Sequence, residues 1–270
     1  MAPVTLVFTS SLAAALILMI GLWPFTVIKK NASLADRFWG LGFVVVAWVA
    51  AFLGPGYGRR TLLVVGLTTL WGLRLCAHIT YRSWGKGEDP RYRAMREKHG
   101  AAFPRVSLFA VFGLQAVLLW IIALPVQWAC LVPYPDHLTM TDLVGGSVAL
   151  AGIVIESIAD YQLLRFKKDP ANRGKVMDRG LWAYSRHPNY FGETLVWWGM
   201  FLIALSVPGG GWTFVSPALI TFLLLRVSGV TLLERTLTET RPEYRDYVER
   251  TSTFIPWFPR KSKGKGTRNG

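Results

Sequence analysis

The sequence is poor in charge and in cysteine, and each shortage excludes a class of protein. Charged residues make up 17% of the chain, whereas an ordinary soluble domain carries about 25%. Only two cysteines are present, which excludes a disulfide-rich scaffold, and a hydrophobic content of 52% excludes disorder. Because Cys76 and Cys130 both lie in apolar runs, we predict two buried free thiols.

Sequence signatures of several common enzyme classes are also missing. The sequence has no Gly-x-Ser-x-Gly nucleophile elbow and no phosphate-binding Gly-Lys-Ser/Thr loop. Its four histidines do not combine with cysteine at any zinc spacing, so no metal site is predicted. The glycine-rich stretch 54–58 follows no strand pattern, and we interpret it as a turn and not as a dinucleotide-binding loop.

The sequence has long apolar runs instead. A helix that crosses ~30 Å of hydrocarbon needs roughly 20 apolar residues. About seven stretches approach this length and predict an all-α membrane protein with about seven transmembrane helices: 5–28, 38–54, 61–81, 106–130, 143–164, 190–207 and 212–233. We expect residues 1–260 to form a single integral membrane domain and residues 261–270, rich in lysine and glycine, to form a basic flexible tail.

The distribution of basic residues predicts the orientation of the chain. The 30 lysines and arginines outnumber the 16 acidic residues and cluster between the apolar runs, which is typical of a membrane protein and argues against a nucleic-acid binder. The segments 131–142 and 208–211 contain no lysine or arginine, whereas the alternate loops and the tail are basic. The positive-inside rule therefore places the N-terminus outside and the C-terminus in the cytoplasm, with Arg59 and Arg60 as exceptions.

Carboxylates within the predicted spans are candidates for function, because each costs ~2.5–3.5 kcal/mol to insert. Glu156 and Asp160 are four residues apart and therefore share a helix face, and Glu193 lies in the next span. The alternative interpretation is a structural ion-pair network, for which Arg165, Lys167, Arg186 and Arg226 are possible cations.

The densest polar cluster is residues 184–193. Pro188 suits the first turn of a helix, so the sixth span is predicted to begin here with its positively polarised end toward the cytoplasm. Asn189 and Glu193 share a face of that helix, beside an arginine and a histidine. An ordinary capping turn would not need all four side chains, so the cluster predicts a site for a polar or anionic ligand.

With these residues in view, the segment from Glu156 to Pro256 resembles the C-terminal domain of the membrane steroid 5α-reductases, in particular their bacterial relatives. The similar stretches are Asp160-Tyr161 with the basic run after it, Gly180 through Glu193, and Arg241-Pro242-Glu243-Tyr244 through Phe254-Ile255-Pro256. The N-terminal half is similar only in the number of spans and the general layout. The Arg-His-Pro-x-Tyr-x-Gly core also occurs in membrane methyltransferases of isoprenylated cysteine and of phospholipids.

The resemblance implies a helical bundle in a bacterial inner membrane, with NADPH in a cavity open to the cytoplasm. Asp160 and the basic cluster 165–179 would hold the adenosine and phosphate groups of NADPH. Asn189 and Glu193 would fix its nicotinamide. The full set of implied cofactor-binding residues is Asp160, Arg165, Lys167, Arg173, Lys175, Arg179, Tyr184, Arg186, His187, Asn189, Tyr190, Glu193, Glu234 and Arg241.

The implied reaction is reduction of the C=C bond of a conjugated enone, a 3-oxo-Δ4-steroid or a similar isoprenoid, by hydride from NADPH. Charge develops on the carbonyl oxygen, and a donor aimed at that oxygen stabilises the transition state. The animal enzymes use a Gln-Glu pair and a tyrosine, and this sequence lacks the Gln-Glu pair. Asp36 and Tyr81 are the nearest carboxylate and phenol, so they are the predicted catalytic donors, with Asp36 kept protonated by burial.

Two other functions remain open. One is an S-adenosylmethionine-dependent membrane methyltransferase acting on a lipid or prenylated substrate; that cofactor carries no phosphate and does not need the basic cluster 165–179. The other is a non-catalytic transporter or binding protein, which would line a path deep in the bilayer with charge. The reductase is expected to be a monomer that meets a hydrophobic small molecule and membrane lipid.

Overall fold

A computed structural model of the protein describes residues 2–227, 230, 234 and 243–260. It is 79% helical and has no β-strand among the described residues, as the sequence predicts for an all-α protein. The predicted tail 261–270 lies outside this part of the chain. The α-helices are α1 (Ala2–Ile28), α2 (Leu34–Leu53), α3 (Gly58–Ser83), α4 (Pro90–His99), α5 (Phe103–Ser107), α6 (Leu114–Ile122), α7 (Leu124–Leu131), α8 (Met140–Lys168), α9 (Pro188–Ala204), α10 (Val215–Phe222) and α11 (Glu243–Arg250).

Six segments of the described chain are long and apolar enough to cross a membrane, which fits an integral membrane protein. They are Pro3–Ile28, Leu34–Leu53, Gly58–Ser83, Pro90–Ile122, Met140–Lys168 and Gly210–Val227. The predicted span 190–207 corresponds to α9, whose 17 residues reach about 26 Å. That length is short of the ~30 Å of a hydrocarbon core, so the structure supports six of the seven predicted spans.

The predicted span 106–130 is interrupted. The chain is π-helical at Leu108–Gly113, and α6 ends at Ile122 before α7 begins at Leu124. Pro125 lies in the first turn of α7. Because proline has no N–H and restricts the residue before it, a new helix begins there and the old one does not continue.

The chain divides into two compact units, Met1–Leu150 with Trp197–Ala218 and Ala151–Val196 with Leu219–Gly270. In the first unit α2 packs along α1 and α3. Its core includes a buried aromatic cluster of Phe43, Trp71 and Trp197, with ring centroids 4.7 to 5.3 Å apart.

Both cysteines are free thiols, as predicted. Cys130 is fully buried, but Cys76 is only partly buried, because it lies on a face of α3 that is not wholly covered. The prediction of two buried thiols is therefore correct for one of them.

Candidate functional site

The polar cluster at the start of α9 is built in the second unit from segments that are distant in sequence. Residues 251–260, here called the C-terminal segment, follow α11 and run beside residues 184–187. Ser185 and Ser252 form an isolated parallel bridge, and the Arg186 backbone N–H donates to Ser252 O at 2.9 Å. Ser185 Oγ donates to Phe254 O at 2.7 Å. The C-terminal segment therefore holds the start of α9 in place.

A turn that requires glycine leads the chain into this cluster. Gly180 has a φ of +61°, and a Cβ at this position would lie 2.5 Å from Gln162 Nε2. The next residue, Leu181, donates its N–H to Gln162 Oε1 at 3.0 Å, and Trp182 Nε1 donates to Ala159 O at 3.1 Å. These two bonds attach the loop to α8.

Gly192, which belongs to the motif of the resemblance, lies where α9 approaches α8 closely. A Cβ on Gly192 would lie 2.7 Å from Glu156 N and 2.7 Å from Gly152 O. A Cβ on Gly152 would lie 2.6 Å from Gly192 O. Real Cβ atoms do not make such contacts, so helix packing is sufficient to explain the glycine.

Arg186 is buried and directs all of its N–H donors at protein groups. Nε and Nη2 donate to the two carboxylate oxygens of Glu234, at 2.7 and 3.1 Å. Nη1 donates to Val248 O and Thr251 O at 2.8 Å each, and Nη2 also donates to Thr253 Oγ1 at 2.7 Å. A guanidinium has five donors, so Arg186 keeps none for a phosphate group. Arg186 therefore acts as a positioning residue, which holds the surrounding parts of the protein together.

His187 and Glu234 extend this network. His187 Nε2 lies 3.1 Å from Glu234 Oε1, and the imidazole stacks on Tyr190 with ring centroids 5.6 Å apart. Burial raises the pKa of Glu234, but hydrogen bonds from His187 and Arg186 outweigh it and lower that pKa below its ordinary value. Glu234 is therefore an anion at neutral pH that orders the two residues before Pro188.

Asp160 and Asn189 lie in contact. Asn189 Nδ2 donates to Asp160 Oδ1 at 3.3 Å, and because a carboxylate only accepts, this contact fixes the orientation of the amide. Asn189 Oδ1 is buried and has no hydrogen-bond partner in the described part of the chain. Buried acceptors without partners are uncommon, and this one can accept an N–H from a ligand. Because Asp160 and Asn189 are in contact, both would reach the same part of a ligand. The resemblance instead implies that Asp160 binds the adenosine end of NADPH and Asn189 the nicotinamide end.

A basic cavity of about 240 Å³ lies in the same unit. Its lining residues are Phe166, Asn172, Lys175, Val176, Asp178, Arg179 and Arg250. It thus brings together two predicted cations, Lys175 and Arg179, with Arg250, which was not among the predicted site residues. Arg250 Nη2 pairs with Asp178, while Arg250 Nε is buried without a partner among the described residues.

The other predicted cofactor residues have varied surroundings. Glu193 is buried, as is Glu156 on the facing helix, and Tyr184 is exposed. Arg165, Lys167 and Arg173 are exposed and are not among the lining residues of the cavity. Arg241 lies outside the described residues.

Asp36, in the first turn of α2, belongs to the first unit and accepts three hydrogen bonds. Tyr92 Oη donates to Oδ1 at 2.6 Å, Arg91 Nη2 to Oδ2 at 2.9 Å, and Gln115 Nε2 to Oδ1 at 3.1 Å. Each partner donates, and one of them is charged. Asp36 is therefore a hydrogen-bond acceptor toward all three partners, and its role as a catalytic donor stays a prediction.

The tyrosine that donates to Asp36 is Tyr92, which was not among the predicted site residues, and the catalytic role of Tyr81 stays a prediction. Tyr81 lies in the last turn of α3 and is 55% exposed, whereas Tyr92 on α4 is 7% exposed. Gln115 Nε2 also lies 3.3 Å from Tyr92 Oη, and Gln115 Oε1 is buried without a partner among the described residues. Tyr92 and Gln115 are 56 and 79 residues from Asp36, so no local pattern could associate them.

Comparison with known proteins shows which protein family the chain matches. Proteins described as "Protein of unknown function (DUF1295)", in the steroid 5α-reductase-like superfamily, match residues 22–251. An uncharacterized protein of Schizosaccharomyces pombe is 28% identical over 284 aligned positions, which cover 92% of this chain and 79% of that protein.

Two vertebrate enzymes match a shorter stretch. The 3-oxo-5-alpha-steroid 4-dehydrogenase 1 of Macaca fascicularis is 37% identical over 73 residues, 27% of each chain. The Bos taurus enzyme of the same name is 34% identical over 83 residues, 31% of this chain and 30% of that one. The similarity to these dehydrogenases thus spans less than a third of their length. No solved structure matches the chain.

Proposed function

The chain belongs to the DUF1295 family, and from that premise we propose that it is a membrane oxidoreductase that reduces the C=C bond of a conjugated enone with hydride from NADPH. The single observation that carries the proposal is the buried Asn189 Oδ1, an acceptor without a partner among the described residues, held beside Asp160 at the start of α9. A substrate of this class is apolar and reaches a membrane protein through the lipid, as a 3-oxo-Δ4-steroid or an isoprenoid enone would.

The residues present fit this cofactor. A nicotinamide carboxamide carries an NH₂ group, which is what Asn189 Oδ1 needs, and Asp160 can accept from a ribose hydroxyl. Lys175 and Arg179 around one cavity supply the charge that phosphate groups need. When bound, NADPH supplies a hydride.

Other residues order these groups. Arg186 and His187 bind Glu234, and Arg186 also binds the C-terminal segment, so together they fix the turn from which α9 begins. In the first unit, the Asp36 carboxylate orients the Tyr92 hydroxyl and the Gln115 amide. The three side chains hold one another in place, and Gln115 Oε1 keeps an acceptor without a partner among the described residues.

The cavity also bears on the methyltransferase alternative. Arg250 is paired with Asp178, which leaves Lys175 and Arg179 as the two further cations of the cavity, and S-adenosylmethionine carries no phosphate for them to bind. Their grouping favours a phosphate-bearing cofactor.

The test is to incubate the detergent-purified full chain with NADPH and a 3-oxo-Δ4-steroid and to analyse the products by mass spectrometry. We expect a product two mass units heavier than the substrate, and its loss in Asn189→Leu. Parallel reactions contain NADH or S-adenosylmethionine in place of NADPH. A methylated product with S-adenosylmethionine, and no reduction with either nicotinamide, would overturn the proposal.

A further inference from the structure

The C-terminal segment presents large apolar side chains that are exposed yet held in place. Ile255, Trp257 and Phe258 are 64%, 70% and 77% exposed. The Trp257 backbone N–H donates to Tyr184 O at 2.9 Å, and the Phe258 ring packs edge-on against Tyr184 with centroids 6.1 Å apart. Trp257 and Phe258 are thus held in place without being covered, and exposed apolar side chains grouped in this way mark a surface for another molecule.

A polar cavity of about 320 Å³ lies beside these side chains. Its polar wall contains Arg250, Thr251, Ser252, Thr253 and Arg260, and its apolar wall contains Trp257 and Phe258. The backbone of Arg260 is held against Arg250, because its N–H donates to Arg250 O at 2.8 Å. Arg250 Nε is the buried donor without a partner among the described residues.

The charge on this surface is predominantly positive. Arg186 also lines the cavity, but its donors are occupied, and Glu249 is the acidic residue of the lining. The other charged residues of the lining are Arg250 and Arg260. The C-terminal segment thus places an apolar surface beside a cationic one. An anionic amphiphile has the complementary parts, an apolar chain beside a negatively charged headgroup.

We propose that the C-terminal segment and this cavity form a binding site for an anionic phospholipid. Its phosphate would contact Arg250 and Arg260, and Ile255, Trp257 and Phe258 would lie in the interfacial layer beneath the headgroup. Aromatic side chains favour that layer, and clustered lysine and arginine favour anionic lipid. A soluble anion would account for the two arginines but not for the three exposed apolar side chains. The site is separate from the 240 Å³ cavity, although Arg250 lines both.

The experiment measures thermal unfolding of the full chain in detergent with added phosphatidylglycerol, phosphatidylcholine or inorganic phosphate. We expect phosphatidylglycerol to raise Tm by about 5 °C near saturation, because a ligand that binds only the folded state stabilises it. Arg260→Gln, and separately Trp257→Ala with Phe258→Ala, should each lose at least half of that rise. Arg59→Gln, at an exposed arginine of the other unit, is the matched control and should keep it.

Three results would overturn the proposal. An equal rise with inorganic phosphate would make this a site for a soluble anion, and an equal rise with phosphatidylcholine would remove the need for anionic charge. An undiminished rise in both variants would place the lipid elsewhere. Should the double aromatic variant fail to fold, Phe258→Ala alone provides the same comparison, because its ring is mostly exposed.

Discussion

Arg60 Nε lies 2.8 Å from Asp142 Oδ1, and neither side chain has any exposed surface. The guanidinium also donates to Pro135 O and His137 O, and Asp142 also accepts from Ser206 Oγ at 2.8 Å. This pairing explains why Arg60 departs from the charge pattern from which the orientation was predicted. It is a buried structural cation and not a loop charge that the positive-inside rule counts.

Replacing Arg60 by methionine should strongly destabilise the first unit. The change leaves the Asp142 carboxylate buried without its cation, which costs about 3–5 kcal/mol in comparable sites. We expect Tm in detergent to fall by about 10 °C. Arg60→Met with Asp142→Leu should recover part of the loss, since an apolar pair carries no buried charge. Arg59→Gln should leave Tm unchanged, and a normal Tm in Arg60→Met would show that the pair contributes little.

Gly192→Ala should destabilise the second unit through packing alone. The added methyl would meet the α8 backbone at Glu156 N and Gly152 O, and overpacking of this kind costs about 1–3 kcal/mol. Gly66→Ala on α3 is the matched control, because nothing lies within 4 Å of its Cβ position. That change should be neutral or raise Tm slightly, since alanine favours helix. Equal Tm values for the two variants would contradict the close approach of α8 and α9.

The helices themselves follow largely from the sequence, because length and hydropathy are local properties. Six of seven predicted spans appear, and Pro188 begins α9 as expected. The seventh, α9, has the predicted position, but its 17 residues make it shorter than a typical membrane span. Pro125 can also be read from the sequence, but it lies within an apolar run. The break between α6 and α7 therefore does not change the hydropathy from which the span was predicted.

The site was less predictable, because its contacts join residues that are distant along the chain. The polar cluster 184–193 could be found, but the sequence could not show that Arg186 has all five donors occupied by Glu234, Val248 and the C-terminal segment. Nor could it pair Asp36 with Tyr92, 56 residues away. Residue types indicate that a site exists, and only the fold shows which side chains have atoms left for a ligand.

Stability of the second unit should depend on pH through Glu234. Its pKa is lowered in the fold, so the carboxylate contributes stability above its ordinary value of 4.5, and the contribution is lost as pH falls through the lowered value. Glu234→Gln should therefore lower Tm at pH 7, by an amount equivalent to about 1–3 kcal/mol for the donors left unpaired. The difference in Tm between wild type and variant should shrink as the pH falls toward 4. A constant difference would show that Glu234 acts through packing and not through its charge.

Tyr92→Phe should destabilise the first unit more than Tyr81→Phe. Tyr92 is buried and its hydroxyl donates to Asp36 Oδ1 at 2.6 Å, whereas Tyr81 is mostly exposed. Removing one partner of a buried hydrogen bond costs about 1–3 kcal/mol. The measurement is Tm in detergent for both variants. Equal Tm values would show that the hydrogen bonds around Asp36 contribute little to the stability of this unit.

Neutralising the basic cavity should affect NADPH more than NADH, since the two cofactors differ only by the 2′-phosphate. In Lys175→Gln with Arg179→Gln, we expect KM for NADPH to rise at least ~10-fold, because a hydrogen bond to a charged group contributes about 1.5–3 kcal/mol. Arg173→Gln is the matched control: Arg173 lies in the same loop but not in the lining of the cavity, so its KM should stay near that of the wild type. An equal rise for both cofactors would assign Lys175 and Arg179 to the pyrophosphate that NADPH and NADH share. A rise in Arg173→Gln and none in the double variant would place the phosphate on the exposed loop, outside the cavity.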